Sequence, residues 1–183
     1  DTRNYYEVDI GTFKTSLNPN TKSFRNFPEY IKNQKISKKQ PIAMFCTGGI
    51  RCEKASSYLL EKGFKDVVQL DGGILNYLEY KNKIKKRSNK NYWTGDCFVF
   101  DNRVAIGKNL KIGKYDQCYG CRHPITEKDK MLKSYIKGAC CKYCINAKSE
   151  KKIKNSLVRQ DQIEDANKEK RNHSFMKVYT FAK

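Results

Sequence analysis

Pro41-Ile42-Ala43-Met44-Phe45-Cys46-Thr47-Gly48-Gly49-Ile50-Arg51-Cys52-Glu53-Lys54 is the stretch from which the fold is read. Residues 41–45 form an apolar run of strand length, and residues 52–60 carry a helical pattern. Between them, Cys46-Thr47-Gly48-Gly49-Ile50-Arg51 is a tight, glycine-bearing loop. Strand, loop and helix in that order aim successive backbone N–H groups at whatever occupies the loop. A cysteine at the mouth of such a cradle feels the positive end of the helix and the nearby Arg51 cation, and both favour thiolate over thiol. Cys46 is therefore the candidate nucleophile, with Thr47, Gly48, Gly49, Ile50 and Arg51 as the loop around it. The competing reading is a small buried hydrophobe at a strand end. It leaves two glycines and an arginine within the next five residues without a reason.

Four residues separate Cys46 from Arg51, so the amide ring is one residue smaller than the loop with which cysteine phosphatases cradle phosphate. A tighter ring suits a sulfur atom, a persulfide or a small anion better than a tetrahedral phosphate. The loop resembles a rhodanese active site, and Cys-Thr-Gly-Gly-Ile-Arg-Cys-Glu-Lys at 46–54 resembles one subfamily, the tRNA uridine 5-hydroxylases that carry a rhodanese domain. Other stretches share the resemblance. Asp1-Thr2-Arg3-Asn4-Tyr5-Tyr6-Glu7 ahead of Gly11 looks like the first rhodanese box, with Asp1, Arg3 and Glu7 read as structural ion-pair partners. Phe24-Arg25-Asn26-Phe27-Pro28 matches the subfamily's Phe-Arg-x-Phe-Pro segment, with the phenylalanines read as core and Arg25 as a residue able to face the loop. Residues 93–104 match its Trp-x-Gly-x-Cys-Phe-Val-Phe-Asp-x-Arg-Val almost residue for residue.

The resemblance implies an oxygen-dependent hydroxylation that forms 5-hydroxyuridine at the wobble position of tRNA. Cys46 is then the essential thiolate, molecular oxygen the co-substrate, and the electron donor unidentified. It also implies that the family's usual N-terminal domain is missing: Asp1 reads as falling inside an element, so the chain is expected to be a fragment.

Outward from the loop, Gly63 is a helix-stop signal, Asp66-Val67-Val68-Gln69-Leu70 a short strand, Asp71-Gly72-Gly73 a turn and Ile74 the opening of another helix. Strands alternating with helices predict an α/β fold with a doubly wound parallel sheet over residues 1–80. Residues 81–106 read as a basic linker followed by a β-hairpin turning at Asp101-Asn102; six of the first ten are basic. Residues 107–148 form a cysteine-rich module. Residues 149–183 read as a basic helical tail, with Ile153, Leu157, Ile163 and Ala166 as its stripe.

The module holds two knuckles, Cys118-Tyr119-Gly120-Cys121 and Cys141-Lys142-Tyr143-Cys144, separated by 19 residues. Two thiolate pairs at this spacing are the arrangement that structural zinc prefers, so Cys118, Cys121, Cys141 and Cys144 are the predicted ligands. Cys140 neighbours Cys141 but lacks the knuckle spacing. His123 is a possible substitute ligand, and a redox dithiol pair is the competing reading.

The 183 residues carry a net charge of +19, unevenly spread. Residues 1–80 hold 12 basic and 9 acidic residues, a net of +3, and residues 81–183 hold 26 and 10, a net of +16. A coding bias toward lysine would make every surface basic, whereas a polyanionic partner on the second half accounts for the asymmetry. The expected partner is tRNA, with no DNA and no membrane: no apolar run approaches the about 18 residues of a span, and no secretory pattern is present. Cysteines in paired knuckles fit a reducing, cytoplasmic setting. Tyr115, Tyr119, Tyr135 and Tyr143, interleaved with basic residues, suit either base stacking or the core of a small module.

Three function classes compete. Resemblance favours tRNA hydroxylation. Read from the residues alone, sulfur transfer through a Cys46 persulfide comes first, since nucleophile, cradle and ring size all fit it. A non-catalytic RNA-binding module is disfavoured by the intact cysteine–arginine loop.

Overall fold

The computed structural model describes residues 1–84 and 91–169. Residues 85–90 of the basic linker and residues 170–183 of the tail, with His173, lie outside the described residues. The chain divides into two compact units, Asp1–Asp116 and Gln117–Lys183.

In the first unit α1 (Tyr5–Val8) and β1 (Gly11–Phe13) are followed by a 3-10 turn (Phe24–Asn26) running into α2 (Phe27–Asn33). Then come β2 (Ile42–Met44), α3 (Ile50–Glu61), β3 (Val67–Gln69) and α4 (Gly73–Lys83). β2 and β3 pair in parallel, Ile42 opposite Val67 and Met44 opposite Gln69, with α3 as the crossover between them. This is the α/β arrangement expected from the loop and its flanks. β4 (Trp93–Gly95) returns to pair antiparallel with β1, Gly11 opposite Gly95. β5 (Cys97–Phe98) and β6 (Ala105–Ile106) form the hairpin around Asp101-Asn102.

Side-chain alternation at the end of β2 lets consecutive residues serve two cores. Ile42 and Met44 face Phe27 and Ile31 of α2 and Leu59 of α3. Phe45, the next residue along, faces Ile74 and Leu78 of α4 with Phe13 and Trp93. Arg3, fully buried, ties the first turn together: it pairs with Asp1 (2.7 Å), donates to the Glu7 carbonyl (3.2 Å) and to the Gly11 carbonyl (2.6 Å), and lies 5.2 Å from the Trp93 ring centre.

The start of α4 fixes the position of the cysteine loop. The first amides of a helix have no partner within it. Here Ile74 N–H donates to the Cys46 carbonyl (2.9 Å) and Leu75 N–H to the Thr47 carbonyl (3.1 Å). That approach requires glycine at 73, whose φ is +64° and whose added Cβ would stand 2.5 Å from the Cys46 oxygen and 2.7 Å from the Thr47 oxygen.

In the second unit a short pair, β7 (Asp116–Gln117) and β8 (Pro124–Ile125), carries the first knuckle in its turn; α5 (Glu127–Lys130) and α6 (Glu150–Lys168) follow. Its core is Ile125, Ala139, Cys140 and the four knuckle cysteines, with Ile153 of α6 packed on it. No helix among the described residues is long and apolar enough to cross a membrane.

Gly73→Ala adds a left-handed residue and a steric conflict at once, so it is expected to lower stability by roughly 2–5 kcal/mol. Urea unfolding measures this, and a native-like midpoint at unchanged slope would mean that the α4 amides do not pin the loop.

Candidate active site and metal centre

The Cys46 sulfur lies at the N-terminus of α3, where Gly49 N–H donates to it at 3.1 Å. Gly49 is the helix N-cap at φ +93°, a turn that brings its own amide round to face the sulfur. The Cys46 pKa falls from 9.0 to about 5: the Cys52 thiol donates a hydrogen bond to it, and the Arg51 amide and guanidinium add to the effect against the opposing cost of burial. The surroundings of Cys46 thus favour thiolate over thiol. As donor to that thiolate, Cys52 has its own pKa pushed well up, and its sulfur lies 3.6 Å from Thr2 Oγ1. Cys46 is 2% exposed, whereas Gly48 and Ile50 of the same loop are exposed.

Arg51 is held away from solvent by Glu7. Its two terminal nitrogens donate to the two Glu7 oxygens at 2.6 and 2.7 Å, and Glu7 is fully buried. Glu7 in turn accepts from the Asn4 amide at 3.1 Å, which closes a capping box on α1. Thr47 Oγ1 accepts from Arg51 (3.4 Å) and lies within hydrogen-bond reach of Glu7 Oε2 (3.5 Å) and of the Phe98 carbonyl (3.4 Å). Sequence alone assigns Glu7 to a structural ion pair; its partner turns out to be the loop arginine, 44 residues away. The signal for it is the acid in the first box, with nothing local to name its partner.

Other candidates fall elsewhere. Cys97 is buried among Ile74, Leu78 and Trp93, and burial pushes its pKa up to about 12. Asp101 and Arg103 pair with each other at the exposed hairpin turn (2.6 Å). Arg25 is exposed on the 3-10 turn, while Phe24 and Phe27 stack at 5.8 Å as core.

Cys118, Cys121, Cys141 and Cys144 come together with all four sulfurs within 4.8 Å of one another. Two sulfur–sulfur edges, Cys118–Cys144 at 3.9 Å and Cys121–Cys141 at 3.7 Å, fit the about 3.8 Å edge of a tetrahedron with zinc–sulfur bonds of about 2.3 Å. They are far longer than a disulfide, and all eight cysteines are free. This donor set suits one ion such as zinc. Cys140 stands outside the quartet, its sulfur toward the Ser134 carbonyl at 3.8 Å. His123 is buried and stacks on Tyr143 with ring centres 3.5 Å apart.

Both sites give measurable outcomes. The ultraviolet thiolate absorbance of native protein minus Cys46→Ser should titrate with a midpoint at about 5. Because the folded pKa is depressed, the stability this thiolate adds is present above the unfolded thiol pKa and is lost as the pH falls through about 5. A midpoint at the ordinary thiol value would show that the ring does not hold the charge. For the quartet, Cys141→Ser should lose bound zinc after dialysis and Cys140→Ser should keep it, as read by elemental analysis; the reverse pattern would reassign the knuckle.

Residues 1–80 match the family model described as the Rhodanese-like domain. The match ends at the close of α4, whereas the compact unit built on it runs on to Asp116. This chain thus carries a rhodanese-like α/β domain with parallel strands, followed by a four-cysteine cluster suited to a metal ion.

Proposed function

We propose that this chain belongs to an RNA-modifying enzyme that uses O2 to place a hydroxyl on C5 of the wobble uridine of tRNA, with Cys46 as its nucleophile. The observation that carries the reading is the seating of residues 93–104 against the loop. That stretch carries the subfamily resemblance beyond the rhodanese match, and it supplies the Phe98 carbonyl to Thr47 and the Phe100 ring beside Arg51. Relay of sulfur between small anions would need this segment as support for α4 but has no use for the exposed aromatic it sets beside Arg51. The +16 net charge of residues 81–183 supports a polyanionic substrate.

The chemistry asked of the chain is addition of the Cys46 thiolate to C6 of the pyrimidine, which shifts the C5–C6 electron pair onto C5 and makes that carbon nucleophilic. One oxygen atom of O2 ends on C5; a two-electron donor and two protons reduce the other to water. Loss of the C5 proton as the sulfur–C6 bond breaks then restores the ring and the thiolate. The Gly49 and Arg51 amides stabilise the leaving thiolate as they stabilise the resting one.

A second reading draws on the 2% exposure of Cys46. A sulfur this enclosed suits small-atom chemistry: thiosulfate would give sulfite and a Cys46 persulfide, and cyanide would then take the outer sulfur as thiocyanate and release the thiolate.

In cells relying on this protein, Cys46→Ser should abolish 5-hydroxyuridine among tRNA nucleosides analysed by mass spectrometry. Unchanged levels would overturn the first reading. Thiosulfate-to-cyanide transfer by purified protein at cellular rates would favour the second.

A further inference from the structure

We propose that Phe100 is a stacking platform for an unpaired nucleobase at the mouth of the Cys46 loop. Single exposed apolar side chains are ordinary on protein surfaces; this one is set apart by how it is fixed. Phe100 is 62% exposed, yet its ring stands edge-to-face on Phe98, with centroids 5.1 Å apart and planes at 79°. Phe98 is fully buried and packs edge-to-face on Tyr6 at 5.3 Å. The same residue accepts the loop through its carbonyl, from Thr47. The Arg51 guanidinium lies 5.5 Å from the Phe100 ring centre, and the Arg51 amide belongs to the ring of donors around the sulfur. The exposed Ile50 side chain, 72% accessible, lies in the same loop.

An aromatic ring is therefore packed on a buried one that accepts from the loop, with the Arg51 guanidinium beside it and most of its surface open. Aromatic faces paired with arginine are how proteins hold unpaired bases, because every base has a π-face and each sits on a polyanion. Stacking on Phe100 would hold a base beside the loop, where Cys46 acts. The inference rests on the RNA-modifying reading and names the residue that receives its substrate.

The test measures binding by the full 183-residue chain, by fluorescence anisotropy, of an anticodon stem-loop RNA with uridine at the wobble position and of the same RNA made abasic there. Phe100→Ala and Phe100→Leu should weaken binding of the uridine RNA by roughly 5- to 150-fold, while Phe100→Trp keeps it. On the abasic RNA, which the native chain should bind correspondingly more weakly, neither Phe100→Ala nor Phe100→Leu should cost anything further. The thiolate absorbance of Cys46 in each variant confirms an intact loop. Native affinity in Phe100→Ala, no difference between the two RNAs for the native chain, or an equal loss on both overturns the proposal; an equal loss on both would assign Phe100 to general surface packing or to a protein partner. The binding cycle needs no turnover, so it fails or succeeds separately from the effect of Cys46→Ser on 5-hydroxyuridine.

Discussion

The loop is organised by a constraint on peptide polarity. Every peptide unit has a donor and an acceptor, and a ring of donors around a sulfur is possible only if the carbonyls find partners elsewhere. Those partners are the first free amides of α4, which take the Cys46 and Thr47 carbonyls at 2.9 and 3.1 Å. Two helix N-termini therefore serve one short loop. The start of α3 faces the thiolate, and the start of α4 faces the carbonyl oxygens that carry the loop's partial negative charge. Gly49 at φ +93° holds a backbone conformation that side chains disfavour, and Gly73 at φ +64° is where this crossing of backbones admits no side chain.

The second organising charge is Arg51, and its geometry bears on what the loop can bind. Both terminal nitrogens are committed to Glu7, a fully buried carboxylate. A buried charge is costly unless paired and hydrogen-bonded, and breaking such a pair from one side leaves the other uncompensated. Glu7 thus fixes the guanidinium in place, and Arg51 Nη2 donates to Thr47 Oγ1 as well. The stabilisation of negative charge at the loop comes first from the Cys52 thiol, with backbone donors and the Arg51 charge adding to it, a field sized for one sulfur. Ring size points away from phosphate as the group held inside the loop.

What was legible in the sequence was local. An apolar run, a glycine pair and a helical pattern identify the strand, loop and helix because each is decided by neighbours within a few residues. The four metal-site cysteines were legible because knuckle spacing is itself the chelate geometry, and it distinguishes Cys141 from Cys140 by one position. Glu7 as the partner of Arg51, Gly73 as the seat of the Thr47 carbonyl, and Phe98 as acceptor for Thr47 were not legible. Each depends on which segments fold back against the loop, and no periodicity encodes that. The segment 81–106 shows the same limit: its hairpin was readable from turn residues, whereas the pairing of β4 with β1, about 80 residues apart in sequence, arises only when distant segments meet in the fold.

That pairing decides how the chain beyond residue 80 relates to the domain before it. Trp93, Cys97, Val99 and Ile106 are buried with Ile74 and Leu78 of α4, the helix whose first amides hold the loop. Each large apolar side chain fully buried contributes about 1.5–3 kcal/mol. Trp93, Val99 and Ile106 together are therefore comparable with the about 5–15 kcal/mol net stability of a whole domain. The segment is thus part of the core that supports α4, and it cannot be an optional extension of the rhodanese-like domain. Phe98 of the same segment accepts from Thr47 through its carbonyl, and Phe100 lies beside Arg51. Fold and site are coupled here because one short segment fills the core with one set of side chains and meets Thr47 and Arg51 of the candidate loop with the other.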